Sequence, residues 1–130
     1  MDKCIFCHGI SNEDVLIQTD NFFVVFDIDP IQEGHLLIIS KKHIMNISQL
    51  SNDLLLELSI LEKKIINVIE NNFQVLGITM AINNGRTMDD GVHFHVHIIP
   101  RYTNDEFWEN IKIHKQKLDK QKLKNILNLL

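Results

Sequence analysis

Three histidines, His93, His95 and His97, stand at every second position between Gly91 and Arg101. Imidazole serves near neutral pH as metal ligand, nucleophile or proton carrier, so three in register point to chemistry. Between them stand Phe94, Val96 and Ile98, all apolar and strand-favouring. A strand turns successive side chains to opposite faces, which predicts all three imidazoles on one face and the apolar residues in a core. An ordinary solvated strand face varies its polar residues, and three identical titratable rings do not fit that description. Metal ligation and catalysis are the readings to separate.

A second pattern lies near the N-terminus, where Cys4 and Cys7 form a CxxC. The two are too close to staple a fold, and a reducing compartment would keep them as thiols. A thioredoxin-like redox pair needs a strand before it, and three preceding residues do not supply one. Zinc takes four ligands, so without a second CxxC the set would need histidines. On the CxxC alone, a zinc half-site and an inert pair both stay open. Asp27 ends the apolar run Phe22 to Phe26, from where a carboxylate can reach a cleft, although Asp27 and Asp29 before Pro30 also fit a turn. His43, beside Lys41 and Lys42, reads in isolation as a surface residue.

The elements that must position these groups are legible in outline. Residues 15–20 and 22–26 read as strands with Asp20 and Asn21 as the turn between them. Gly34 precedes another apolar strand over 35–40. Ser51 is a candidate N-cap, with Asp53 in the first turn, for a long helix in which Leu54, Leu58, Leu61, Ile65 and Val68 recur at helical spacing. Leu55, Leu56, Ile60 and Ile69 widen that stripe enough to cover a sheet and a second surface, while Glu57 falls on another face. Residues 73–81 return to strand composition and end at the turn signal Asn83-Asn84-Gly85. Antiparallel pairing of 75–82 with 92–99 would bring Asn83 and Gly91 to one mouth. Trp108 reads as core or interface cover, and residues from about 110 to 130 as a lysine-rich helix with an intermittent apolar edge.

Composition sets the bounds. With 130 residues, 45% hydrophobic and 23% charged, the chain predicts one globular domain with a substantial core. A net charge of −4 argues against wrapping by nucleic acid but leaves room for a small anion in a local pocket. No charged-then-apolar leader opens the chain and no run approaches membrane-spanning length, so the expected location is the cytoplasm, without a membrane partner.

With the histidine strand, the CxxC and the segment from His35 to His43 in view, the sequence resembles the histidine triad (HIT) superfamily of nucleotide hydrolases and transferases. The likeness is greatest to its small bacterial, phosphoramidase-like branch. It runs from Cys4 to about Trp108, and the triad reads His-φ-His-φ-His-φ-φ with Phe94, Val96, Ile98 and Ile99 at the apolar positions. The resemblance implies an α+β domain over residues 1–110: an antiparallel sheet of about five strands with one long helix. It implies a sheet extended across a homodimer, with residues 111–130 as a C-terminal helical extension of the same domain.

The resemblance also implies a division of roles. His95 would attack the α-phosphate of a nucleoside phosphoramidate or dinucleoside polyphosphate, leaving a nucleotidyl-histidine that water cleaves. His97 would bind the phosphate oxygens or the leaving group. Asn83 and Gly91 would lie on the phosphate side, Asp27 would grip the ribose hydroxyls, and Ile28 would line the pocket for a purine base. In zinc-bearing members the ligands match Cys4, Cys7, His43 and His93, a closed set for a structural zinc, with His8 as a conceivable substitute.

One departure stands out. Many relatives carry Gly-Gln-Ser/Thr-Val before the first histidine, whereas this chain has Asp89, Asp90, Gly91 and Val92. Two carboxylates near a phosphate cost on the order of 1–3 kcal/mol at about 4–6 Å, unless they turn away or meet a cation. Three functions are therefore expected to compete. The first is the hydrolase acting through His95, and the second a purine-nucleotide-binding module with little turnover. The third is a metalloenzyme in which two triad histidines share an open site with a carboxylate such as Asp89.

Overall fold

Alternation of apolar residues and the leucine-isoleucine stripe generate one sheet and one covering helix. The structure, a computed structural model, describes residues 3–130. In chain order the elements are α1 (Ile5–His8), β1 (Ile17–Gln18), β2 (Phe22–Phe26), β3 (Leu36–Ser40), α2 (Asn52–Asn72), β4 (Gly77–Ile82), β5 (His95–Arg101) and α3 (Lys120–Leu127). The strands form a single sheet in the order β1-β2-β3-β5-β4, and every neighbouring pair is antiparallel. This is the expected α+β architecture.

One sheet face packs on α2. Val24, Ile38, Val96 and Ile98 meet Leu58, Leu61, Ile65 and Ile69 of the helix, all buried. Each such side chain contributes about 1.5–3 kcal/mol by leaving water. The Ser51 hydroxyl accepts from the Leu54 N–H at 3.3 Å and so caps the helix. Glu57, on a more exposed face, accepts both the backbone and side-chain N–H of Asn21 at 2.8 Å, pinning the β1–β2 turn to the helix. The other sheet face carries Val25, Leu37 and Ile39, covered by Phe6, Ile10, Val15 and Phe23. Leu37 pairs with His97 and Ile39 with His95, so both histidines share that second face.

Three boundaries differ from expectation. The first strand shrinks to Ile17–Gln18, an edge pair exposed on both residues. The β4–β5 register runs from Gly77↔Arg101 to Ile82↔Val96, and β5 begins at His95, so residues 92–94 do not pair with β4. The cause is tertiary: Gly91 turns at φ +85° and Phe94 N–H donates to the Ile44 carbonyl at 2.8 Å, which draws that stretch to the chain after β3. Finally, the C-terminal helix covers only Lys120–Leu127, capped by Asp119 at 3.0 Å. Residues 111–119 lack a helical apolar stripe and carry Lys112, Lys115 and Lys117, so they stay non-helical and exposed. Among the described residues, no helix is long and apolar enough to cross a membrane.

Candidate active site

β5 starts at His95 and leaves His93 just ahead of it, so two neighbouring rings enter different surroundings. The His93 ring is fully buried, and its Nε2 lies 2.6 Å from the Ser40 carbonyl. A carbonyl only accepts, so Nε2 carries the proton and Nδ1 presents its lone pair. That lone pair faces Cys4 Sγ at 3.1 Å and Cys7 Sγ at 3.5 Å, while His43 Nδ1 lies 3.2 Å from Cys7 Sγ. The ligand atoms of Cys4, Cys7, His43 and His93 all lie within 4.8 Å of one another. A tetrahedral zinc, with Zn–S of about 2.3 Å and Zn–N of about 2.0 Å, needs sulfur and nitrogen about 3.5 Å apart. The four residues fit such an ion in type, number and spacing. His8 is outside that group.

His95 is 7% exposed and presents the opposite nitrogen. Its Nδ1 lies 2.7 Å from the His93 carbonyl and must donate there, which leaves the Nε2 lone pair bare. Phe6, from within the CxxC, packs edge-on against the His93 and His95 rings at centroid distances of 5.6 and 5.1 Å. The apolar residue inside the cysteine pair thus braces the ring that faces the cavity.

His97 is set by a residue whose role the sequence did not reveal, His35. The Ile31 N–H donates to His35 Nδ1 at 3.1 Å, so the His35 proton sits on Nε2. That proton is donated to His97 Nδ1 at 2.9 Å, and the neutral His97 ring therefore presents Nε2–H. Asp27 Oδ2 stands 3.4 Å from His35 Nε2 and 3.9 Å from His97 Nδ1, while its Oδ1 accepts the Asp29 N–H at 2.9 Å. Asp27 thus makes the turn and faces the histidines as well. Burial, then the neighbouring His95 and His35, lower the His97 pKa to about 4, with Asp27 opposing. Burial also lowers that of His35, again against Asp27.

Asp27, His35 and His97 place a carboxylate oxygen and two ring nitrogens within 4.8 Å of one another, donor types an open metal site could use. Metal binding at His35 Nε2 would require moving its proton to Nδ1, opposite the Ile31 N–H. The hydrogen bonds favour the proton chain instead.

A cavity of about 970 Å³ opens between these groups. Its wall includes Asp27, Ile28, Asn83, His95 and His97. Asp89 and Asp90 are among the residues lining it, so the acidic loop borders the cavity. Gly91 is not part of that wall: its carbonyl accepts the Ile5 N–H at 2.7 Å, and an added Cβ would stand 3.3 Å from the Lys3 carbonyl. Its positive φ turns the chain so that its carbonyl receives the N-terminal segment. His35 could have been suspected from parity, since it alternates with Leu37 and Ile39 on the face shared with His97.

Known proteins match this chain over most of its length. The HIT domain family model covers residues 9–104. The "Protein hit" of Bacillus subtilis is 32% identical, covering 96% of this chain and 90% of that protein. An adenosine 5'-monophosphoramidase of Candida albicans is 37% identical over 76% of this chain and 70% of its own. The crystal structure of a HIT family protein from Bacillus anthracis superposes with a TM-score of 0.75 at 28% identity, covering 98% of this chain and 94% of that one. The chain belongs to the HIT domain family.

Proposed function

We propose that this protein is a nucleotide hydrolase that cleaves a P–N or P–O bond at the α-phosphate of a nucleotide conjugate. The observation that carries the reading is the pair of rings facing one cavity: His95 with a bare Nε2 lone pair and His97 with Nε2–H, their centroids 4.7 Å apart. One ring is prepared to attack, the other to deliver a proton. A monophosphoramidase among the relatives supports the same chemistry.

In the first step His95 Nε2 bonds to phosphorus and the leaving-group bond breaks, its electron pair going to the departing atom. A bound phosphate favours the charged form of His97, in which Nδ1–H and the His35 Nε2–H turn to Asp27 Oδ2 and the Nε2 proton passes to that atom. Water then attacks phosphorus and gives its proton back to His97, while the Nε2–P electron pair returns to His95. Asp27 would take the ribose hydroxyls, Ile28 would cover a purine base, and Asn83 would meet the phosphate.

Cys4, Cys7, His43 and His93 would hold a structural zinc, tying the N-terminal segment to the sheet. With four protein ligands such an ion has no open position for substrate. The thiols that this requires suit a reducing compartment such as the cytoplasm. A homodimer is proposed along α2 and β4: Leu56, Ile60 and Val68 are exposed on the helix, Met80 on the strand, and β4 is an edge of the sheet.

The test is release of adenosine monophosphate from adenosine 5'-phosphoramidate. Wild type should turn over, and His95→Ala should lose at least about 10³-fold in kcat. Equal turnover by the variant would exclude His95 as nucleophile. Nucleotide binding with no cleavage by wild type would favour the binding-module reading.

A further inference from the structure

The proposed reaction brings a phosphate to this cavity, yet the charged residues of its described wall are acidic. Five acidic residues, Glu13, Asp14, Asp27, Asp89 and Asp90, are among those lining it, and among the described residues no lysine or arginine is. Among the described residues, the side-chain nitrogens in its wall are those of Asn83, His95 and His97. His95 marks where phosphorus must arrive, because this ring is 7% exposed and its Nε2 meets no partner among the described residues. Asp27 stands within 3.9 Å of His97, whereas Asp89 and Asp90 enter from the loop before His95 and Glu13 and Asp14 from the turn before β1. The acidic residues therefore approach the cavity from separate elements. Around them Ile5, Leu16, Phe26 and Ile28 expose apolar surface on the rim.

A leaving group that is itself a polyphosphate would add negative charge to this wall and find no fixed cation. An amine with an apolar stem and a positive end would meet the rim and the carboxylates together. We infer that this site, given the hydrolase reading above on which this rests, selects nucleoside phosphoramidates whose leaving amine carries a second, cationic group. It discriminates against dinucleoside polyphosphates. Asp89 and Asp90 are the specificity-determining residues. In the reaction the P–N bond breaks, its electron pair stays on the leaving nitrogen, and the His97 proton converts that nitrogen to the free amine.

The experiment uses three adenosine 5'-phosphoramidates with the same alkyl chain, ending in an ammonium, a neutral amide or a carboxylate. At low ionic strength kcat/KM should fall about tenfold from ammonium to amide and about tenfold again to carboxylate. The spread should shrink to about threefold in about 0.5 M salt, where the Debye length is only a few ångströms. The Asp89→Asn, Asp90→Asn double variant should collapse the ammonium-to-carboxylate ratio to within about threefold. The same three conjugates titrated against His95→Ala read the preference as Kd, so the charge preference is measured even if no conjugate turns over and the hydrolase reading fails. Equal values for ammonium and carboxylate ends, in both rate and Kd, would overturn the inference. So would a dinucleoside polyphosphate that, with added magnesium, outruns the ammonium conjugate, since the carboxylates would then serve a metal cation.

Discussion

The Cys4–Cys7–His43–His93 cluster and the His95–His97 cavity are adjacent, yet they use the same ring in opposite ways. At the first, donor atoms converge on one point and the His93 Nε2–H is consumed by the Ser40 carbonyl. At the second, lone pair and proton are turned outward, with Nδ1 of His95 tied to the His93 carbonyl and Nδ1 of His97 fed by His35. The difference comes from what each ring's other nitrogen meets, which neither spacing nor residue type reveals. His93 joins the two regions: its side chain belongs to the cluster and its carbonyl orients the nucleophile.

Separating the two regions by mutation should give the largest effects. Replacing both cysteines, Cys4→Ser with Cys7→Ser, should reduce bound zinc from about one per chain to near none and lower stability by at least about 3 kcal/mol. Metal analysis beside a urea melt measures this. Because the His93 carbonyl holds His95, kcat should also fall, by about 3–10-fold. His95→Ala should do the reverse, abolishing turnover with metal content unchanged. Loss of metal in His95→Ala, or full activity in the cysteine variant, would break the comparison in one direction or the other.

A smaller effect is expected inside the cavity. His35→Phe removes the Nε2–H that sets His97, so kcat should fall about 10–100-fold with little change in KM. His35→Gln, which keeps a donor, should recover part of that loss. A variant that loses stability without this kcat–KM split would make His35 merely a core residue.

Acid should distinguish the regions most gently. With the His97 pKa lowered to about 4, the unfolded chain binds a proton between about pH 6.5 and 4 that the folded chain does not. Stability contributed by neutral His97 is present above pH 6.5 and is lost as pH falls toward 4, amounting to about 1–2 kcal/mol for a side chain partly open to solvent. Urea midpoints across that window should slope less in His97→Asn than in wild type. Equal slopes would remove His97 from the account.

Much of this is legible in the sequence. Alternating Phe94, Val96 and Ile98 fixed which face is core, and the Leu58-Leu61-Ile65 stripe placed the covering helix. The expected pairing of 75–82 with 92–99 is four positions off, Ile82 meeting Val96 rather than residue 92, because a glycine at φ +85° and a hydrogen bond to Ile44 are tertiary facts with no local pattern. His35 escaped notice because a single histidine opening an apolar strand has no periodic partner; only the β3–β5 register sets it against His97. The resemblance points Gly91 toward the phosphate, and the docking of Ile5 on its carbonyl is a second demand that the sequence does not show. At the C-terminus, scattered apolar residues were read as one helix, where only the Leu123, Ile126 and Leu127 turn has helical spacing.

The central claim is that three neighbouring histidines present three different atoms: Nδ1 of His93, the bare Nε2 of His95 and the Nε2–H of His97. A long-range proton–nitrogen NMR correlation spectrum of the imidazoles near neutral pH tests it most directly. The account predicts a protonated Nε2 on His93, a protonated Nδ1 on His95 and a protonated Nε2 on His97. Finding the His95 proton on Nε2, with no lone pair facing the cavity, would contradict it.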